Sequence, residues 1–96
     1  MSVIVQLTVK AQPDKYQELY DTWVAILPDT AKANGALHIS CSADPENHEF
    51  RVWEIWEQIE DQKAYMQWRM DRGDIEKLGT MLAAPPKVET LEHLTF

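Results

Sequence analysis

Between Arg51 and Gly73 the chain reads RVWEIWEQIEDQKAYMQWRMDRG and holds three of its four tryptophans, Trp53, Trp56 and Trp68. Glu54 and Trp56 are two residues apart, a spacing that on a strand puts a carboxyl and an indole on one face. Tyr65 and Trp68 are three apart, which on a helix gives them a common side, and Arg69 follows directly. A carboxyl set among apolar groups has a raised pKa and suits a proton acceptor near neutrality. A guanidinium can hold an anion, and aromatic walls stack on a flat molecule. Together these residue types could take a proton from a flat molecule and hold the anion.

Each of them also has an ordinary structural use. Glu54 can pair with Lys63, Arg69 or Arg72, and Arg69 can be a solvated side chain between helical turns. Trp56 can fill the space under a helix, and Tyr65 with Trp68 can be core packing instead of a lid. Trp53, on the opposite strand face from Trp56, suits an interface between copies. His38 alternates with Leu37 and Ile39 and faces either that interface or the mouth of a pocket, where it is a candidate substrate contact. His48 sits in turn chemistry and is expected in solvent.

Those residues must be positioned by neighbouring elements. VIVQLTVKA alternates, with Val3, Val5, Leu7 and Val9 on one side and Ile4, Gln6, Thr8 and Lys10 on the other, and reads as a strand. Pro13 and Asp14 start a helix whose stripe is Tyr16, Leu19, Tyr20, Trp23, Ile26 and Leu27; Pro28 predicts a kink or restart, and Gly35 closes the helical region. ALHISCSA and EFRVWEIWE are two strands joined by the turn DPEN, with Leu37, Ile39 and Cys41 sharing a face. IEDQKAYMQWRM is helical, a short continuation follows Gly73, Pro85 and Pro86 stop it, and KVETLEHLTF is a last strand. The order βαββαβ predicts an α+β, ferredoxin-like protomer: a four-stranded antiparallel sheet with both main helices on one face. The other face, bearing Ile4, Trp53, Ile55 and Leu91, would then be uncovered, which predicts a face-to-face homodimer.

Bulk composition narrows the partners. Ninety-six residues, 45% hydrophobic and 26% charged with no low-complexity tract, predict one domain over 1–96. The net charge of -7, from 16 acidic and 9 basic side chains, repels phosphate backbones and anionic lipid, so neither nucleic acid nor membrane is an expected partner. No segment approaches the ~20 apolar residues of a membrane span, and Met1–Gln6 lacks a signal-like leader. The lone Cys41 excludes an intrachain disulfide, and the expected location is cytoplasmic. His38, His48, His93 and Cys41 show no closely spaced pair of zinc type, so no metal is expected, and three glycines form no phosphate cradle.

The residues WEIWE, the helix AYMQWRMDRG, and the segments LAAPP and VETLEHL resemble, in that order, the antibiotic biosynthesis monooxygenase domain of the dimeric α+β barrel superfamily, over nearly the whole chain. The resemblance implies a dimer with packed sheets and a pocket between sheet and helices in each protomer. It implies as well oxygenation of a small electron-rich aromatic, of quinol, anthrone or polyphenol type, without metal, flavin or haem. Trp56 matches the pocket tryptophan of that group. The asparagine such relatives carry four residues earlier is Val52 here, and their helix tyrosine six residues later is Gln62. A non-catalytic dimeric binding or scaffold module is the alternative reading. Haem-degrading relatives match less well, since their strand asparagine, helix tryptophan and iron-binding histidine fall at Leu7, Tyr65 and Ile75. On this reading Glu54 and Arg69 are the catalytic candidates and Trp56, Tyr65, Trp68 and His38 the substrate contacts.

Overall fold

An alternating run rich in β-branched residues makes β1, Val3–Lys10, the strand around which the computed structural model, describing residues 2–96, is built. It pairs antiparallel with β3, Glu49–Trp56, on one side and with β4, Lys87–Glu92, on the other. Strand β2, Ala36–Asp44, pairs with the far side of β3, so the sheet order is β2-β3-β1-β4, the arrangement expected of βαββαβ. The helices α1, Tyr16–Ala31, α2, Ile59–Asp71, and α3, Asp74–Gly79, complete the fold with a 3-10 turn, Pro13–Lys15, that leads into α1.

The register fixes which side chains face the helices. Val5 pairs with Glu54, Leu7 with Val52 and Val9 with Phe50, and of these Val5, Val9, Phe50, Val52 and Glu54 are buried. They form the core with Leu19, Trp23 and Met81, from α1 and the turn after α3. The opposite face carries Ile4 beside Ile55 and Gln6 beside Trp53, as the alternation predicts, and there Leu91 is 41% exposed.

Two local expectations are corrected. The first helix does not restart at Pro28 but runs through to Ala31. Proline removes the bond to the carbonyl four residues back, and both Val24 and Pro28 are exposed, so water can take that carbonyl. In β2, Ala36 pairs with Trp56 and His38 with Ile55, so Leu37 is the extra residue of a β-bulge. Leu37 therefore does not share a face with Ile39 and Cys41, and it is 57% exposed. Gly35 has φ +82° in the turn before the bulge, three residues beyond the helix cap at Lys32. No helix among the described residues is long and apolar enough to cross a membrane.

Candidate active site

Glu54 lies in the middle of the sheet, between Val5 of β1 and Ile39 of β2, on the face the helices cover. It is 8% exposed, and its Oε1 accepts a hydrogen bond of 2.9 Å from Nε1 of Trp56, which is fully buried. None of the ion pairs among the described residues involves it, so the expected alternative of pairing with Lys63, Arg69 or Arg72 is not what the fold provides. Burial pushes its pKa up, and the single indole bond opposes this without cancelling it. A buried acid without a cation is uncommon in a core, because ionising it there has little compensation.

Tyr65 and Arg69 are one helical turn apart on α2, and both point at α1. The Arg69 Nε donates to the Tyr65 hydroxyl at 2.7 Å, Nη1 to Asp74 Oδ2 at 2.9 Å, and Nη2 to the carbonyl of Ile26 at 3.2 Å. The Tyr65 hydroxyl is further bonded to that of Thr30, itself buried in α1. Arg69 is 4% exposed, so it is neither solvated nor free to sweep a pocket. Burial disfavours its charge, but the bonds to Tyr65 and Asp74 outweigh this and raise its pKa; Arg69, and Arg72 after it, hold the Asp74 carboxyl below its usual range. The guanidinium thus ties α1, α2 and the start of α3 together.

The aromatics form a graded series from core to surface. The ring of Trp56 lies 5.5 Å from that of Tyr65, and Tyr65 lies 5.9 Å from Trp68, centroid to centroid. Trp68 is 44% exposed, with the guanidiniums of Arg69 and Arg72 at 4.7 and 4.8 Å from its ring centre. Tyr65 and Trp68 wall an open cleft of about 340 Å³ between the end of α1 and α2, which also presents Asp29 and Asp61. Trp56 does not reach this cleft; it backs Tyr65 and holds Glu54.

A second hollow, of about 220 Å³, lies between sheet and helices. Its floor is Leu7 and Val9, its far side Val88 of β4, and its roof includes Trp23, Met66, Ile75 and Leu78. Glu54 does not line this chamber; on the same sheet face it lies one diagonal step across the ladder from Leu7, through the pair Leu7 and Val52. An apolar cavity of roughly 150 Å³ admits benzene, so this chamber can take a substituted or fused aromatic. Leu7 and Ile75, where haem-degrading relatives carry asparagine and histidine, both line it, and neither can ligate iron. Haem does not fit that donor set.

Not every candidate is brought together. His38 pairs with Ile55, placing it on the open face, where its ring meets that of Trp53 at 5.4 Å. It is on the other side of the sheet from Glu54 and Trp56 and does not join them. Sequence reasoning passed over Thr30, Asp74 and Trp23. Asp74 carried a local signal, an acid directly after Gly73 and five residues from Arg69; Thr30 carried none, and Trp23 was read only as part of a helical stripe.

Neither a protein-family model nor a curated protein sequence matches the chain. Solved structures do. Rv0793 from Mycobacterium tuberculosis superposes with TM-score 0.88 at 17% identity, covering 100% of this chain and 98% of its own. A candidate antibiotic biosynthesis monooxygenase from Deinococcus radiodurans gives 0.85 at 20% identity over 98% and 94%. The structure of another antibiotic biosynthesis monooxygenase gives 0.85 at 10% identity over 97% and 99%. The chain has the antibiotic biosynthesis monooxygenase fold. At these identities the likeness to the antibiotic biosynthesis monooxygenases is one of fold, and the chemistry must be argued from this chain's own residues.

Proposed function

We propose that the chain is a cofactor-independent monooxygenase acting on a small electron-rich aromatic of quinol, anthrone or polyphenol type, bound in the chamber between sheet and helices. The observation that carries this reading is Glu54: a buried carboxyl with no cation partner among the described residues, its pKa raised, held by the Trp56 indole on the sheet face that also floors the apolar hollow. In its carboxylate form such a group accepts a proton from an acidic phenol or anthrone. The resulting anion supplies the electrons that reduce dioxygen; one oxygen atom enters the ring system as a carbonyl and the other leaves as water. No external reductant is required, which is why the demands on the protein reduce to dryness, a base and hydrogen-bond donors. Trp56 is then a positioning residue for Glu54, Tyr65 and Trp68 wall a separate cleft that shares no lining residue with the chamber, and Arg69 fixes the helices that roof the chamber.

Each protomer is proposed to work in a homodimer in the cytoplasm, with Ile4, Trp53, Ile55 and Leu91 covered by a second copy. The half-buried or exposed state of these residues in one chain supports that assembly. A second reading, a dimeric binding or scaffold module without catalysis, is favoured by Arg69, whose Nε, Nη1 and Nη2 all bond within the protein.

The deciding experiment is oxygen uptake with a panel of quinols and anthrones in metal-chelated buffer. Uptake that depends on pH in the wild type and is lost in Glu54→Gln supports the oxygenase. No uptake above a protein-free control removes it, and an aromatic bound saturably and recovered unchanged in air establishes the binding module instead.

A further inference from the structure

The cleft between the end of α1 and α2 has no part in the oxygenase reading, and its lining combines two chemistries. One wall is aromatic, made by the rings of Tyr65 and the half-exposed Trp68, with only Ala33 and Ala64 beside them. The other chemistry is anionic, the carboxylates of Asp29 and Asp61. No basic side chain lines the cleft, and neither carboxylate joins an ion pair or a side-chain hydrogen bond among the described residues. The lining is fixed from behind. The Tyr65 hydroxyl is tied to Thr30 and Arg69, and the Trp68 ring is flanked by the guanidiniums of Arg69 and Arg72, which share the Asp74 carboxylate. Asp61 rests against Gly35, where any Cβ would collide with its carboxylate, so the turn leaves this side chain its place. With two guanidiniums already against Trp68, a bare ammonium gains little on that ring. The rings suit an apolar body, and the carboxylates suit a positive charge.

We propose that this cleft is a second binding site, for a small arylalkylamine whose ring lies along Tyr65 and Trp68 and whose protonated nitrogen is held by Asp29 and Asp61. A cavity of roughly 150 Å³ admits benzene, so the cleft, at about 340 Å³, has room for one ring and a short amine-bearing arm. A molecule of the same shape with a hydroxyl in place of the amine keeps the apolar contact and loses the charge attraction, and one with a carboxylate is repelled. The chain's net charge of -7 favours the approach of a cation as well. The site shares no lining residue with the apolar chamber, so it stands whether or not the chamber oxygenates anything.

The test titrates the ¹⁵N-labelled full chain at low salt with three probes of matched shape, 2-phenylethylamine, 2-phenylethanol and phenylacetate, and follows the amide signals of Ala33, Asn34 and Ala64. The amine is expected to shift them saturably and to bind about 5- to 30-fold more tightly than the alcohol. Phenylacetate should leave them in place, and the amine's advantage should shrink in about 0.5 M salt. Asp29→Asn, at an exposed position in the last turn of α1, should weaken the amine about 2- to 5-fold and leave the alcohol unchanged. Asp61→Asn should act in the same way, and the double variant should bind amine and alcohol alike. Because the wild-type titration and the exposed Asp29 variant decide the matter, poor folding of an Asp61 variant does not rescue the idea. Equal affinity of the wild type for amine and alcohol overturns the proposal. So do unsaturable shifts spread over the acidic surface, an amine affinity untouched by Asp29→Asn, or no shift at the three amides with the amine.

Discussion

Glu54 and Arg69 show how the same two residue types acquire opposite environments. Glu54 is buried with one neutral donor, and its folded-state pKa is raised by desolvation. Between the ordinary carboxyl value and this raised one, the folded protein holds a proton that the unfolded chain has lost, so stability falls as pH rises through that window. Glu54→Gln keeps an acceptor for Trp56 and removes the ionisation. Thermal unfolding should therefore show the variant more stable than wild type at pH 8, with the difference shrinking as pH falls through that window and no further change below the ordinary carboxyl value. A variant equally stable at both pH values would mean that Glu54 is solvated. Arg69 has its charge compensated by Asp74 and its other donors satisfied by Tyr65 and Ile26. Arg69→Met should cost about 2–3 kcal/mol, or roughly 10–20 °C in Tm, by removing the donor shared by the Tyr65 hydroxyl, the Asp74 carboxylate and the Ile26 carbonyl. A loss within experimental error in a chemical-denaturation series would show that the tie between the helices carries no weight.

At the scale of elements, the link from α1 to β2 is where backbone and side chain are most closely matched. Gly35 has φ +82°, and a Cβ there would land on the Asp61 side chain at the start of α2. Gly35→Ala therefore meets two separate penalties, the left-handed backbone and the collision; the first alone is about 1–2 kcal/mol. In an Asp61→Gly background the collision is gone, and urea unfolding should show Gly35→Ala costing only the backbone share. Equal costs in the two backgrounds would mean that Asp61 moves aside freely. Pro28 and Leu37 explain why this region was harder to read in sequence than the rest. A proline predicts a break only if its lost hydrogen bond matters, which depends on whether water reaches Val24. Strict alternation predicts faces only while the register is regular, and the bulge at Leu37 shifts it by one residue.

For the molecule as a whole, the sheet has helices on one side only, and Ile4, Trp53, Ile55 and Leu91 lie on the other. Static light scattering should give about twice the 11.1 kDa mass of one chain, and Ile55→Glu, which puts a charge at the centre of that face, should shift the population toward monomer. A wild type that stays at the mass of one chain in dilute solution would remove the dimer. A Trp53→Ala variant should dissociate more readily than wild type while keeping its helical signal, since Trp53 is not among the buried core residues.

By itself the sequence determined the order of strands and helices and which residues of β1, β3 and β4 face the helices, because apolar periodicity is local and each face must be dry or wet. It also singled out Glu54, Trp56, Tyr65 and Trp68 as residues able to do chemistry, from type and spacing alone. Only the tertiary structure decided what each is next to. It bonded Trp56 to Glu54 and left that acid without a cation, took Arg69 out of solvent to join three helices, and put His38 on the far side of the sheet. It also buried the Trp23 indole nitrogen without a hydrogen-bond partner. Such pairings join residues far apart in the chain, and periodicity reports the face a side chain occupies but not the partner it meets there.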